Sequence, residues 1–186
     1  MKYYDTVDIA EAAYDSYLME HISNVALAWS ELQSNPMLKD YAFVNDKYQI
    51  WFITKLVNSH DRSKYSKEEY DAYRKHFYPT KLEMNDENSD VDYDNAWKHH
   101  YTTNPHHWQY WVKYDSEKER NGIRFIRECY LVEMICDWIA MSKYETKKDG
   151  KNHNALEWFN ENSEHIVMSD EDREFVFTIL NKLYDE

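Results

Sequence analysis

Apolar residues recur along most of this chain at intervals of three and four, the period of an amphipathic helix. From residue 8 to about 33, Ile9, Ala13, Tyr17, His21, Val25, Ala28 and Leu32 share one stripe, leaving Glu11, Asp15 and Glu31 for solvent. Asn35-Pro36 ends this helix, because the residue before a proline avoids the α region. After a linker to about residue 46, the run Tyr48 to Val57 repeats the period through Ile50, Ile53 and Val57, and His60 continues that stripe. Ser66 followed by Glu69 has the form of a capping box. It starts a short helix through Tyr70, Tyr73, Arg74 and Phe77, and Pro79 follows.

The period lapses over residues 80–95, which are rich in Asp and Asn and read as a solvated loop. The glycine and terminal glutamate of a calcium-binding EF-hand loop are missing from it. Asn104-Pro105 reads as the cap and first turn of a new helix, so His99 and His100 close one helix and His106 and His107 open the next. Beyond a loop at Asn121-Gly122, residues 122 to about 145 predict a central helix. Ile123, Ile126, Tyr130, Met134, Asp137 and Met141 share its stripe. Leu131, Ile135, Trp138 and Ile139 add apolar faces, so this helix is buried nearly all round. Lys143 to Lys151 reads as a charged loop. Two closing helices follow, at about 154–162 and 169–184, the second capped by Ser169 and turning Phe175, Ile179 and Leu183 inward. The expectation is one all-α domain over 1–186, a helical bundle with closing helices in 153–184.

Composition narrows the classes. A chain of 186 residues can bury a sizeable core. Two glycines and three prolines argue against a β-sandwich or a glycine-turn dinucleotide fold. A formal net charge of −13 disfavours general nucleic-acid binding, so any anionic substrate must meet a local basic patch or a metal. No stretch has the apolar length of a membrane span, and the first residues are polar, unlike a signal peptide. Cys129 and Cys136, on one predicted helix, stand about 10 Å apart along its axis, too far for a disulfide. They read as free thiols of a reducing compartment, the cytoplasm.

The candidate chemistry lies where polar residues interrupt apolar stripes. His21, taken alone, reads as a core histidine bonded to a neighbour. Asp137 is harder to accommodate, since a buried unpaired carboxylate costs several kcal/mol or takes up a proton. A cation, or a Lys, Arg or His partner, would remove that cost. His60-Asp61 offers an imidazole and a carboxylate together, a pair that divalent cations accept. Four of the nine histidines fall within residues 99–107. Two such pairs around a turn can aim imidazoles into one cavity. The alternatives are a surface cluster, or ring stacking among Trp97, Trp108 and Trp111.

The order His21, His60-Asp61, Asp137 on three predicted helices resembles the HD-domain superfamily of metal-dependent phosphohydrolases, over roughly residues 15–145. The resemblance implies an all-helical fold and a divalent metal held by His21, His60, Asp61 and Asp137. Some members hold a second metal with histidines placed between the HD pair and the last Asp. His99/His100 and His106/His107 occupy that interval, and the reading assigns His100, His106 and His107 as ligands. One or two ions are implied, with Mn, Fe, Co, Ni, Mg and Zn not distinguished. The run His60-Asp61-Arg62-Ser63-Lys64 is similar to the HD-x-x-K form, whose lysine contacts substrate phosphate. Asp61 and Lys64 are then catalytic, and Arg62 and Lys98 add positive charge for the substrate. The chain also resembles a small family of phage and bacterial proteins sharing Trp-x-x-His-His, Asn-x-His-His and Glu-Met-Ile-Cys-Asp-Trp elements. For a phage-encoded chain the compartment is the host cytoplasm.

The implied activity is metal-dependent hydrolysis of a nucleotide or similar small phosphate ester, with a small-molecule phosphate substrate as partner. Two rivals stand beside it: an HD-like di-iron oxygenase, and a non-catalytic phage-type accessory protein that binds a host protein or a nucleotide.

Overall fold

A computed structural model describes residues 2–84, 86–115, 118–123 and 126–184, and the backbone alone for 113–115 and 118–123. The fold is helical, as expected. In chain order come α1 (Val7–Ser34), a 3-10 turn Pro36–Leu38, α2 (Ala42–Asn45), α3 (Lys47–Asn58), a 3-10 turn Arg62–Tyr65, α4 (Tyr70–Phe77) and α5 (Ser89–Thr103). A 3-10 turn Trp108–Trp111, β1 (Val112–Asp115), β2 (Lys118–Ile123), α6 (Glu128–Asp149), α7 (Ala155–Asn162) and α8 (Asp170–Tyr184) complete it. Among the described residues no helix is long and apolar enough to cross a membrane.

Several elements depart from the sequence reading. The central helix begins at Glu128, not 122, because Lys118–Ile123 pairs antiparallel with Val112–Asp115, Val112 opposite Ile123. Arg124 and Phe125 of the expected helix lie outside the described residues, as does Asn85 of the acidic stretch. At its other end α6 runs through most of the expected charged loop to Asp149. Lys147 and Lys148 occupy its last turn, where the negative end of the helix dipole favours them. Gly150 then stops it in the left-handed conformation, φ 74°.

Residues 89–95, expected as loop, form the first turns of α5. Asp90 and Asp92 lie at its N-terminus, where acids suit the dipole, and its fully buried face is only Ala96 and His100. Asn104 is the C-cap of α5 and not the N-cap of a new helix; its Nδ2 donates to the His100 carbonyl at 2.8 Å. His106 and His107 therefore precede a single 3-10 turn. The capping box is not formed either. Glu69 holds the N-cap position of α4 without a side-chain cap bond, and its carboxylate is fully buried elsewhere.

The α1 stripe is also corrected at its start. The buried stripe runs through Ala10, Tyr14, Leu18, His21, Val25, Ala28 and Leu32, with Trp29 buried beside it, whereas Ile9 is 52% exposed. Three successive steps of four residues rotate about 120° around a helix, while Ala10 to His21 rotates about 20°.

By its contacts the chain clusters into two compact units. The first comprises Met1–Glu20 and Asp61–Asn104, the second His21–His60 and Pro105–Glu186. The first unit packs Tyr14, Leu18, Tyr73 and Ala96, ringed by Tyr17, Tyr70, Tyr78, Tyr93 and Trp97. Tyrosines supply the apolar area here, and Tyr70 keeps its hydroxyl satisfied by donating to Asp15 at 2.9 Å. Buried Arg74 forks onto Glu83 at 2.6 and 2.7 Å. The second unit has the larger aliphatic core, with Val25, Leu32, Ile53, Val57, Ile135, Ile139, Val176 and Ile179 fully buried or nearly so. Cys129 and Cys136 are free thiols, as expected, and burial pushes both upward in pKa.

Candidate metal centre

In the second unit, five side chains from four stretches of chain meet in the interior. His21 is carried by the buried stripe of α1. His60 follows Ser59, the C-cap of α3, and is 1% exposed. His106 follows Pro105, and its neighbour His107 lies ring to ring with it at 4.3 Å. Glu133 and Asp137 come from α6, four residues apart and so on one face of the helix.

The geometry centres on two carboxylate oxygens. Asp137 Oδ1 lies 3.2 Å from His21 Nε2 and 3.7 Å from His60 Nε2. Glu133 Oε1 lies 3.1 Å from His60 Nδ1 and 3.4 Å from His106 Nδ1. His60 thus stands between two carboxylates, one facing each ring nitrogen. A neutral imidazole has one N–H to donate. Once Nδ1 gives it to Glu133, Nε2 turns a lone pair toward the Asp137 oxygen. Two lone pairs face each other favourably only across a positive charge, either a proton or a metal ion. His21 Nε2, His60 Nε2 and Asp137 form one group able to hold a metal ion, and His60, His106 and Glu133 form another. A carboxylate behind a metal-binding imidazole fixes its tautomer and orientation, the place Glu133 takes behind His60.

The acids keep their charge. Burial raises the Glu133 pKa, but hydrogen bonds from His106 and His60 outweigh it and bring the carboxyl down to about 2. Burial opposes the charge on Asp137 too, and the hydrogen bond from His21, with His60 close by, carries it well below the usual carboxylate range.

The first unit holds a related arrangement. His100, 1% exposed, has Nδ1 at 2.8 Å from Glu69 Oε2 and Nε2 at 3.2 Å from Asp61 Oδ1. Glu69 also takes a bond from His99 Nδ1 at 2.7 Å and one from Ser63 Oγ at 3.0 Å. Asn104 Nδ2 donates to Ser63 Oγ at 2.7 Å. Burial disfavours the Glu69 charge, yet the His100 and His99 bonds lower its pKa overall. Asp61 Oδ2 pairs with Lys64 Nζ at 2.7 Å, and Lys64 stands over the Tyr73 ring at 5.4 Å. Asp61 has φ 56°, the only positive φ of a non-glycine among the described residues. That backbone costs about 1–2 kcal/mol, and such strain collects at functional positions. The buried Tyr14 and Tyr73 hydroxyls make no hydrogen bond, and burial, with the Asp61 and Glu69 charges, pushes both far up in pKa.

Of the residues singled out from sequence, His21, His60, Asp137 and His106 come together in one unit, and Asp61, Lys64, His99 and His100 in the other. Arg62 and Lys98 are exposed. Glu133 and Glu69 were not among them. Glu133 had one signal, its spacing of four from Asp137. Glu69 had one that pointed elsewhere, to a helix cap.

No curated protein and no solved structure matches the chain. The family of unknown function DUF5662 matches residues 10–182, and the chain belongs to that family.

Proposed function

We propose that this DUF5662 member is a metal-dependent phosphohydrolase acting on a nucleotide or similar small phosphate ester, its cation held by His21, His60 and Asp137. The observation that carries the reading is the pair of imidazole nitrogens, at 3.2 and 3.7 Å, on one carboxylate oxygen of Asp137. A divalent cation bound there supplies a water of lowered pKa and neutralises charge on phosphoryl oxygens. The chain's own groups prepare that chemistry. Glu133 takes the Nδ1 proton of His60 and leaves Nε2 as a ligand. Asp137 contributes the negative charge, and the groups that hold its carboxyl ionised are the imidazoles of His21 and His60.

The proposal rests on the second unit by itself. Asp61 and Lys64 of the first unit enter it through variants. Asp61→Ala and Lys64→Ala are expected to leave metal uptake by His21, His60 and Asp137 unchanged, and any loss of phosphate release in them would assign the two residues to the substrate.

The test is metal analysis of protein purified without added metal, joined to phosphate release from a panel of nucleotides and other esters with Mn, Co, Ni, Mg and Zn. Bound metal and release that Asp137→Asn abolishes support the reading. A folded chain that takes up none of these ions and hydrolyses no ester ends it.

One observation favours a second reading. Two imidazole nitrogens and one carboxylate form the ligand set of non-haem iron oxygenases. Retained iron with a visible absorption band and oxygen consumption, without phosphate release, would move the assignment there. Partner capture that survives Asp137→Asn, with no turnover of any kind, would favour an accessory protein.

A further inference from the structure

A cleft of about 460 Å³ lies in the second unit between α6 and α7, and it shares no residue with the histidine cluster. Trp138, Met141 and Glu145 line it from α6, and Glu157, Trp158 and Glu161 from α7. The two indoles form its wall, ring centroids 5.0 Å apart and planes at 50°. Trp138 is anchored behind by Phe159 at 5.7 Å, while Trp158 remains 41% exposed. Glu157 and Glu161 are one helical turn apart, so both face the same side of α7. Glu145 is tied to Lys148 at 3.1 Å, and His153, also in the lining, to Asp149 at 3.0 Å. No lysine or arginine is among the lining residues.

These walls select a ligand by charge. A neutral apolar guest would strip water from the Glu157 and Glu161 carboxylates without replacing it. An anion would be repelled. A bare metal ion wants oxygen on every side, and indole and thioether offer none. An alkylated ammonium satisfies both linings, since its charge is attracted by indole rings and by carboxylates while its carbons cover apolar surface. The volume falls in the range of small-molecule sites. We propose that this cleft binds a small organic cation of the alkylammonium class, its charge placed between the Trp138–Trp158 pair and Glu145, Glu157 and Glu161.

The full-length chain is titrated at moderate salt with choline and with spermidine, read by tryptophan fluorescence and calorimetry. The uncharged carbon isostere of choline and calcium chloride are the comparisons. Saturable binding of at least one of the two cations is expected, with the isostere about tenfold or more weaker and calcium unable to compete. The double variant Glu157→Gln/Glu161→Gln and the single Trp158→Ala are each expected to weaken binding about tenfold. Both change exposed side chains, and thermal melts would check that they fold. Asp40→Asn, an exposed acid outside the cleft, is the charge control and is expected to leave affinity unchanged.

Five results would overturn the proposal. The first four are read by affinity: no saturable binding of either cation, equal binding of the isostere, displacement by calcium, or a loss on Asp40→Asn as large as that of the double variant. Binding untouched by the double variant would do so as well, by placing the cation elsewhere.

Discussion

His60 is the residue on which the second unit's polar interior turns, because each of its nitrogens faces a different acid. Replacing Glu133 by Gln keeps the shape but offers a weaker acceptor, and the amide can turn an N–H toward an imidazole. Metal affinity should fall about 10- to 100-fold, read by competition with a chelating dye. If the proposed cation is bound, Asp137→Asn should abolish its uptake almost entirely, since it deletes the one charge shared by His21 and His60. At Asp61 the backbone makes its own prediction. Asp61→Gly should be more stable than Asp61→Ala by about 1 kcal/mol in urea unfolding, because glycine accepts φ 56° without strain. His21, His60 and Asp137 were legible in the sequence because each interrupts a clear apolar stripe. Glu133 was hidden by the same logic. It lies on a helix apolar on nearly every face, where no single stripe set Glu133 apart and its spacing of four from Asp137 was the one clue.

Helices with strong periodicity were legible as elements, and their ends were not. The core of α6 follows from Leu131, Met134, Ile135 and Ile139, but its length depends on Gly150 and on lysines that suit a helix C-terminus as well as they suit a loop. Gly150→Ala should cost about 1 kcal/mol through its φ alone, since an added Cβ there meets nothing within 4 Å. The first turns of α5 were missed because two buried positions per four turns leave little pattern to read.

The Arg74–Glu83 pair gives the first unit a measurable pH dependence. Hydrogen bonds from Arg74 bring the Glu83 carboxyl down to about 2 against the pull of burial, with Thr80 assisting. The folded pKa is lower than the unfolded one, so the stabilisation is complete above the ordinary glutamate range and disappears as pH falls toward about 2. Urea midpoints measured down that range should decline, and Glu83→Gln should flatten the decline. The same variant should lose about 2 kcal/mol at neutral pH, a buried-pair figure reduced for the partial exposure of Glu83.

For the whole molecule, the fold class followed from the sparse glycine and the helical period, whereas the division into two units did not. Each unit is assembled from separated segments, and no composition change marks the joins at 20/21, 60/61 and 104/105. If the second unit holds a divalent ion, its melting temperature should rise with the logarithm of free metal and return to the starting value with chelator. Asp137→Asn should abolish that rise.

The interleaving also sets an order of events on the ribosome. Every residue of the first unit has been made once position 104 is added, yet His21 and His60, made earlier, must wait for Glu133 and Asp137. A nascent chain stalled between those points carries buried-type histidines with no acids to receive them, so a chaperone or a protease would still find the second unit open.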